Sequence, residues 1–432
     1  MNRLVFFFNK IPRTRIYIRP TILFKSLFEV VFKKPKRGNA VKEFERAFSL
    51  QYGTRYALAL PFARIAFYYI LKALEIKEGN EVLMTPLTIP DMVNMIRCSG
   101  LKPVFVDLKR NTFNIDCDDL EKKISEESKV LLVTHLCGLV PDMGKITEIA
   151  NKHKLILLED CSQNFGARYK NKPLGTFGEA AFFSTGILKS LSTYNGGIVI
   201  SDNGDLMNKI EELINKDFTM PPRIFYLKFI MENLLVWFFT QRFVFSLFTY
   251  YVIKFINFLS PEAISQSQTA NVSLFFGGSP RLRDKVQKNM LYFYTDMQAK
   301  VGLKILKTIT LTDEKRINNV NIFLENLNDV NKSYLAEFKK EDRNVFWRFP
   351  IRIRERKRFQ RHLLNRYIDT SRTNLMCCSS DPVFEVYKTE TLEAEEVKDN
   401  SVYLPIGPSL SQDQIKYIAY TVNEYFESSK NN

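Results

Sequence analysis

The strongest constraint on the fold is an alternation in the first half of the chain. Short apolar runs at 81–84, 103–107, 130–134, 155–159, 180–184 and 197–201 are separated by polar stretches with helical spacing, such as 145–151. Runs this short and apolar throughout read as strands buried on both faces, and the stretches between them as crossover helices. Repeated strand–helix units of this kind form a mostly parallel sheet covered by helices, so the chain is expected to be an α/β protein. Residues 39–78 read as helical throughout. A further helix is expected from Asp296 toward Leu306, and strand-like 345–353 with helical 357–367 and 412–426 read as a small C-terminal α/β domain. The expected organisation is a basic N-terminal arm (1–37), a large domain (38–217), an aromatic-rich helical insert (218–280), a return helix (281–310) and the small domain (311–432). The chain of 432 residues, 45% of them apolar, is long enough to bury such a core.

In open α/β sheets, ligand-binding residues collect at the carboxyl ends of the strands. Two ends stand out. The run Leu155-Ile156-Leu157-Leu158 ends in Glu159-Asp160, and the run ending at Phe183-Ser184 leads into Lys189 and then Asn195-Gly196-Gly197. A lysine among 62 Lys and Arg is ordinarily a solvated charge, and an acid after a strand is common. Together they supply what a pyridoxal 5'-phosphate site requires. A lysine amine condenses with the cofactor's aldehyde. A carboxylate keeps the pyridine nitrogen protonated, so that the ring can accept the electrons of a carbanion. The lysine, once released, can move a proton between substrate and cofactor carbons.

The residues around this pair resemble the DegT/DnrJ/EryC1/StrS family of sugar aminotransferases, which have the type I fold of pyridoxal phosphate enzymes. The resemblance rests on Glu159-Asp160-Cys161-Ser162-Gln163-Asn164-Phe165-Gly166-Ala167, on Phe183-Ser184 leading to Lys189, and on Gly196-Gly197. Lys102-Pro103-Val104-Phe105-Val106-Asp107, Asp296-Met297-Gln298-Ala299-Lys300 and Leu404-Pro405-Ile406-Gly407 extend it, over about 38–216 and 289–426. It implies that Lys189 forms the covalent link to the cofactor, that Asp160 pairs with the pyridine nitrogen, that Gln163 lies near the phenolic oxygen, and that Ser184 hydrogen-bonds the phosphate. It also implies a homodimer, an amino donor such as glutamate, and a keto-sugar acceptor that is commonly nucleotide-linked. Relatives that dehydrate sugars carry histidine at the lysine position, so Lys189 points away from that branch.

Three positions depart from the family pattern. Relatives present Ser-Gly-Thr before a helix, cradling the phosphate with N–H groups and a hydroxyl. Here the stretch is Pro61-Phe62-Ala63-Arg64, with Ala63 at the cradle and Arg64 where the hydroxyl would be. An arginine there offers a charged fork to the same phosphate, or is a solvent-facing helix charge. Leu291 stands where relatives carry an asparagine that reaches the neighbouring subunit's phosphate, and Ile89 where an aromatic often stacks on the ring.

Charge and aromatic content are unevenly placed. Residues 1–37 hold ten Lys or Arg and one Glu, against a net charge of +15 for the chain. With Val5-Phe6-Phe7-Phe8 and Leu27-Phe28-Glu29-Val30-Val31-Phe32 between the charges, an anionic lipid surface fits better than nucleic acid. Residues 223–260 carry thirteen aromatics, yet their uncharged runs fall short of a bilayer span. At 100° per residue, Arg242, Ser246, Thr249 and Asn257 share one narrow face, with Lys254 at its edge. That pattern fits a helix lying in a membrane interface, or a hairpin packed on the core or on a dimer mate. Six cysteines without CxxC spacing and three histidines give no metal site. No cleavable signal is read at the N-terminus. The expected location is cytoplasmic, at the inner membrane face if docked.

The function expected from these features is a pyridoxal phosphate-dependent aminotransferase acting on a nucleotide- or lipid-linked keto-sugar. The alternatives are a membrane-docked non-catalytic homologue, and a pyridoxal enzyme for a lipid-linked substrate.

Overall fold

The computed structural model describes residues 8–16, 18–259 and 280–430. Its centre is a seven-stranded sheet in the order Tyr56–Leu60, Gly197–Ser201, Ala180–Ser184, Ile156–Asp160, Ser128–Thr134, Glu81–Met84, Lys102–Phe105. The last five of these run parallel, and the first two pair antiparallel at one edge. The six apolar runs are all strands. Helices cover both faces, and side-chain caps from Asp116, Asp142 and Asn203 fix the starts of three of them.

The reading of 39–78 as continuous helix fails in its middle. Helix Asn39–Tyr52 stops at Gly53, which takes φ 72°, and strand Tyr56–Leu60 follows before helix Ala63–Ala73. Ala57-Leu58-Ala59-Leu60 has good helix formers, but five-residue pairing with Gly197–Ser201 and burial at the sheet edge override local propensity.

Helix Asp296–Glu325 opens with a capping box between Thr295 and Gln298 and runs for 30 residues, well past Leu306. The boundary expected at 310 falls inside this one helix, which carries the chain from the large domain into the small one. The small domain is a three-stranded antiparallel sheet of Phe349–Arg352, Ser401–Leu404 and Ser371–Arg372, backed by helices Arg356–Asn365 and Gln412–Lys430. The domains join closely at Gly138. Its φ is 89°, and a Cβ there would lie 2.0 Å from the Val345 carbonyl oxygen, so no side chain fits. Beside it the Trp347 N–H donates to the Cys137 carbonyl at 3.0 Å. This contact sets the small domain's Trp347 against the carboxyl ends of the large-domain strands.

The N-terminal segment is no free arm. Ile11 pairs with Ile368 in the small domain, Arg13 makes two 2.7 Å bonds to Asp369, and Lys10 is buried. Two of the basic residues counted toward an exposed arm are thus internal, because each finds a carboxylate, carbonyl or aromatic partner. Helix Pro20–Phe32 then docks on the core through Leu23 and Val30.

The expected insert forms two helices, Arg223–Phe239 and Arg242–Leu259, the second with a π-helical turn over Phe245–Thr249. The rest of the insert, 260–279, lies outside the described residues. Helix Pro20–Phe32 packs on Arg223–Phe239, with Phe24 edge-on to Trp237. These three helices bury apolar side chains, among them Leu23, Val30, Phe229, Ile230, Phe245 and Tyr250, and expose many more. Ser26, Glu232, Asn233 and Ser246 point inward and are buried, while Phe24, Phe28, Phe32, Met231, Leu235, Phe238, Phe243, Phe248, Phe255 and Phe258 are exposed. The polar stripe expected on Arg242–Leu259 is therefore split: Ser246 faces the protein, whereas Arg242 and Lys254 face out.

Candidate active site

The loop from Ser184 to Gly197 is built to hold one lysine in place. Its ends are closed by Thr193 N–H to the Thr185 carbonyl (2.9 Å), Thr185 N–H to the Gly196 carbonyl (3.0 Å) and a 2.7 Å bond between the two threonine hydroxyls. Tyr294 donates to Thr193 Oγ1 at 2.8 Å, and Gln298 Nε2 donates to the Asn195 carbonyl at 2.7 Å. Asn195 Nδ2 in turn donates to the Pro61 carbonyl at 3.2 Å. The loop is thus tied both to helix Asp296–Glu325 and to the turn before helix Ala63–Ala73. Leu188 and Tyr194 adopt φ 67° and 74°, a costly region for such side chains that the surrounding bonds maintain.

Lys189 projects from this loop with Nζ 3.7 Å from the ring centroid of Trp347, and Trp347 Nε1 donates to the Leu188 carbonyl at 2.8 Å. Burial of the ammonium pulls its pKa down to about 7; Asp160 opposes the shift and the Arg348 cation reinforces it. Asp160 ends strand Ile156–Asp160 almost fully buried. Burial raises its carboxyl pKa, while Ser162, whose N–H donates to Oδ1 at 2.9 Å, together with Lys189 and His135, opposes the rise. Glu159 points to the other face. Burial would raise its pKa, but His135 Nε2 at 2.9 Å and the N–H groups of Gly175, Phe177 and Gly178 outweigh it and hold the group below the usual carboxylate range. Gln163 Oε1 accepts the Cys137 N–H at 3.0 Å.

At the strand ends and in the lysine loop, several buried polar atoms have no hydrogen-bond partner, including Thr85 Oγ1, Thr134 Oγ1, His135 Nδ1 and Ser192 Oγ. A Cβ on Gly197 would lie 2.5 Å from the Ala63 backbone N, so the start of helix Ala63–Ala73 comes directly against the end of the lysine loop. A helix start presents unpaired N–H groups to an anion. A poised amine, a buried carboxylate, unpaired polar atoms and a helix start at one sheet edge fit pyridoxal phosphate.

The model of the DegT/DnrJ/EryC1/StrS aminotransferase family matches residues 31–226 and 278–423. The chain belongs to that family. Among similar proteins, GDP-perosamine synthase of Escherichia coli O157:H7 is 26% identical over 396 residues, 90% of this chain and 91% of that protein. The dTDP-3-amino-3,6-dideoxy-alpha-D-galactopyranose transaminase of Aneurinibacillus thermoaerophilus is 25% identical, over 90% of each chain. Among solved structures, the Helicobacter pylori aminotransferase PseC superposes with a TM-score of 0.72 at 21% identity, over 97% of this chain and 100% of that one, which supports the fold.

The protein is thus a pyridoxal phosphate-dependent aminotransferase of the sugar-aminotransferase family, and the non-catalytic alternative gives way. The stretch that the family model leaves out, 227–277, falls within the expected insert.

The structure brings Lys189, Asp160 and Gln163 to one strand-end region. Ser184 Oγ, at the loop start, accepts the Gly186 N–H at 3.4 Å. Arg64 turns toward Asp91, with Nε 3.3 Å from Oδ2, and lies over the Phe62 ring. Arg283 binds the same carboxylate at 2.9 Å, so two cations share one anion beside the helix start. Ile89 caps helix Pro90–Cys98 and packs on the core. Trp347 and Arg348, and the loop-closing roles of Thr185, Thr193 and Asn195, escaped the sequence reading. Trp347 and Arg348 lie more than 150 residues from Lys189; the rarity of tryptophan, two in the chain, was the available signal.

An amine held near pKa 7 gives a pH prediction. The cofactor-free enzyme should combine with pyridoxal phosphate at a rate that rises through about pH 7 and levels above it, because the unprotonated amine is the nucleophile. Stopped-flow absorbance tests this, and a rate still climbing at pH 9–10 would show an ordinary exposed lysine.

Proposed function

We propose that Lys189 is the cofactor-bearing and proton-transferring residue of an aminotransferase that moves an amino group, from a donor such as glutamate, to a keto-sugar carried on a nucleotide or a lipid. The observation that carries this is a lysine amine poised near neutrality beside a buried strand-end aspartate. When bound, pyridoxal phosphate supplies an electron sink at the substrate's reacting carbon. Asp160 would hold the proton on the pyridine nitrogen. Gln163 would present its amide to the phenolic oxygen. Ser184 and the N–H groups of Ala63 and Arg64 would hold the phosphate, with the Arg64 guanidinium as an added positive charge that Arg283 supports by sharing Asp91. Lys189 Nζ, freed from the cofactor, would move the proton between carbon atoms. The working unit is proposed to be a homodimer.

The proposed working place is the cytoplasmic face of a membrane. The exposed apolar faces of these helices support it: a contiguous set of outward phenylalanines and leucines is favourable where the outer face meets an apolar medium. Exposed Lys25, Lys33, Lys34, Arg223, Arg242 and Lys254 on or beside these helices suit an anionic headgroup layer. Helix Arg242–Leu259 is long and apolar enough to cross a bilayer, but Phe245 and Tyr250 are buried with Leu364 of the small domain, which favours a helix lying in the interface.

Two outcomes test this reading. Asp160→Asn should keep the fold yet slow the half-reaction with glutamate on the order of a hundredfold or more, as for loss of one preorganised electrostatic partner. A near-normal rate would make Asp160 a mere strand-end acid. The full-length protein should sediment with anionic liposomes, less so as salt rises, and changing Phe24, Leu235 and Phe255 to Asp should release it. Liposome-free protein that loses dimerisation with the same changes would assign this face to a second copy instead.

A further inference from the structure

The two insert helices are fixed to different domains. Helix Arg223–Phe239 belongs to the large one: Phe225, Tyr226, Phe229 and Ile230 enter its core, Phe225 lies edge-on to Phe62, and the Tyr226 hydroxyl donates to Gln298 Oε1 at 2.8 Å. Helix Arg242–Leu259 belongs to the small one. Phe245 and Tyr250 pack with Leu364, the Tyr250 hydroxyl donates to the Leu364 carbonyl, and the Tyr250 ring centroid lies 5.8 Å from that of Tyr367. The N-terminal segment reinforces this second attachment. The Lys10 N–H donates to Ser246 Oγ at 3.1 Å and Lys10 Nζ to the Ser246 carbonyl at 2.7 Å, while Ile11 pairs with Ile368 and Arg13 with Asp369. Between the helices stand only Thr240 and Gln241.

Each helix turns an apolar face outward, with Ile224, Leu235 and Phe238 on the first and Phe248, Phe255 and Phe258 on the second. Each face also has its own cations. On the large domain, exposed Arg223 reaches back to the Val31 carbonyl, beside exposed Lys33 and Lys34. On the small domain, exposed Lys254 is joined by helix Arg356–Asn365, which has four Lys or Arg and no acidic residue. Leu364 of that helix meets Tyr250, and Arg361, three residues earlier, lies on the same side of it and is exposed. The docking surface therefore has two halves, one on each domain, and both pair outward apolar side chains with positive charge.

The junction that these halves span is the one that completes the lysine site. Trp347 comes from the small domain, and its ring lies against Lys189 Nζ of the large one. Its backbone N–H crosses the junction to the Cys137 carbonyl at 3.0 Å.

We propose that an anionic bilayer clamps the two domains together, taking helix Arg223–Phe239 as the large domain's contact and helix Arg242–Leu259 with Arg361 as the small domain's, and so holds Trp347 against the lysine loop. A bilayer is nearly flat on this scale. It engages both halves at once only when the domains present both to one plane, and two linked contacts bind more tightly than either alone. An effector with that preference shifts the domains toward the arrangement it binds. The proposal rests on the membrane reading above.

The Trp347 amide is a built-in reporter, because its exchange with solvent requires the junction to open. The test uses the full-length enzyme loaded with pyridoxal phosphate and vesicles of mixed phosphatidylcholine and phosphatidylglycerol at low salt. Docking is followed by sedimentation, and exchange by mass spectrometry of the peptide containing Trp347. Exchange there should slow at least threefold on docking, with no change in the core strand Ser128–Thr134, and phosphatidylcholine alone should have no such effect. Phe255→Asp combined with Arg361→Glu should leave the protein sedimenting through its large-domain helices but abolish the protection at Trp347. Should that pair of changes unfold the small domain, Arg361→Glu alone should at least halve the protection and Arg361→Lys should retain it. Sedimentation with unchanged exchange at Trp347, full protection after loss of the small-domain contacts, or equal protection by phosphatidylcholine alone overturns the clamp while docking stands. Failure to sediment at all removes the clamp and the membrane reading together.

Discussion

The site depends on taking one ammonium group out of water. A lysine in solvent is a poor nucleophile at neutral pH because nearly all of it is protonated. Lys189 is pulled to about 7 by burial and by the neighbouring guanidinium of Arg348, against the attraction of Asp160. That balance needs three groups from three places: a strand end, a loop, and the first strand region of the small domain. The tight junction at Gly138, the closed loop between Thr185 and Gly196, and the bond from Trp347 to Leu188 all serve to keep them together.

The same logic accounts for the buried pair behind the site. Glu159 and Asp160 are adjacent on one strand and point to opposite faces. Glu159 is saturated by four donors, so its charge is satisfied and structural. Asp160 keeps one oxygen bonded to Ser162 and is otherwise turned to the lysine's side of the sheet. His135 touches both through different atoms: its ring bonds Glu159, and its backbone N–H bonds the Asp160 carbonyl. His135, Glu159 and Cys161 lie close enough to resemble a metal site, but the Glu159 bonds already occupy the donors such an ion would need.

Much of this was legible in the sequence, because the relevant signals are local. Short apolar runs announced the parallel strands, and the residues at their ends announced the chemistry. Strand Tyr56–Leu60 was missed because its alanines and leucines favour helix, and only its partner Gly197–Ser201, some 140 residues away, makes it a strand. Trp347, Arg348 and the docking of the N-terminal segment through Ile11 and Arg13 escaped for the same reason: these contacts are long-range and no local pattern encodes them. The insert was recognised by its aromatic density, but which of its side chains turn outward, with Ser246 and Asn233 inside and Phe238, Phe248 and Phe258 outside, needed the fold to become visible.

One lysine among the many in this chain, Lys189, is proposed to carry the cofactor. Reducing the pyridoxal phosphate-loaded enzyme with borohydride fixes the cofactor to whichever amine holds it, and peptide mapping by mass spectrometry then locates it. A single modified peptide containing Lys189, lost in Lys189→Ala, is expected. A label on another lysine, or equal labelling after that substitution, would contradict it.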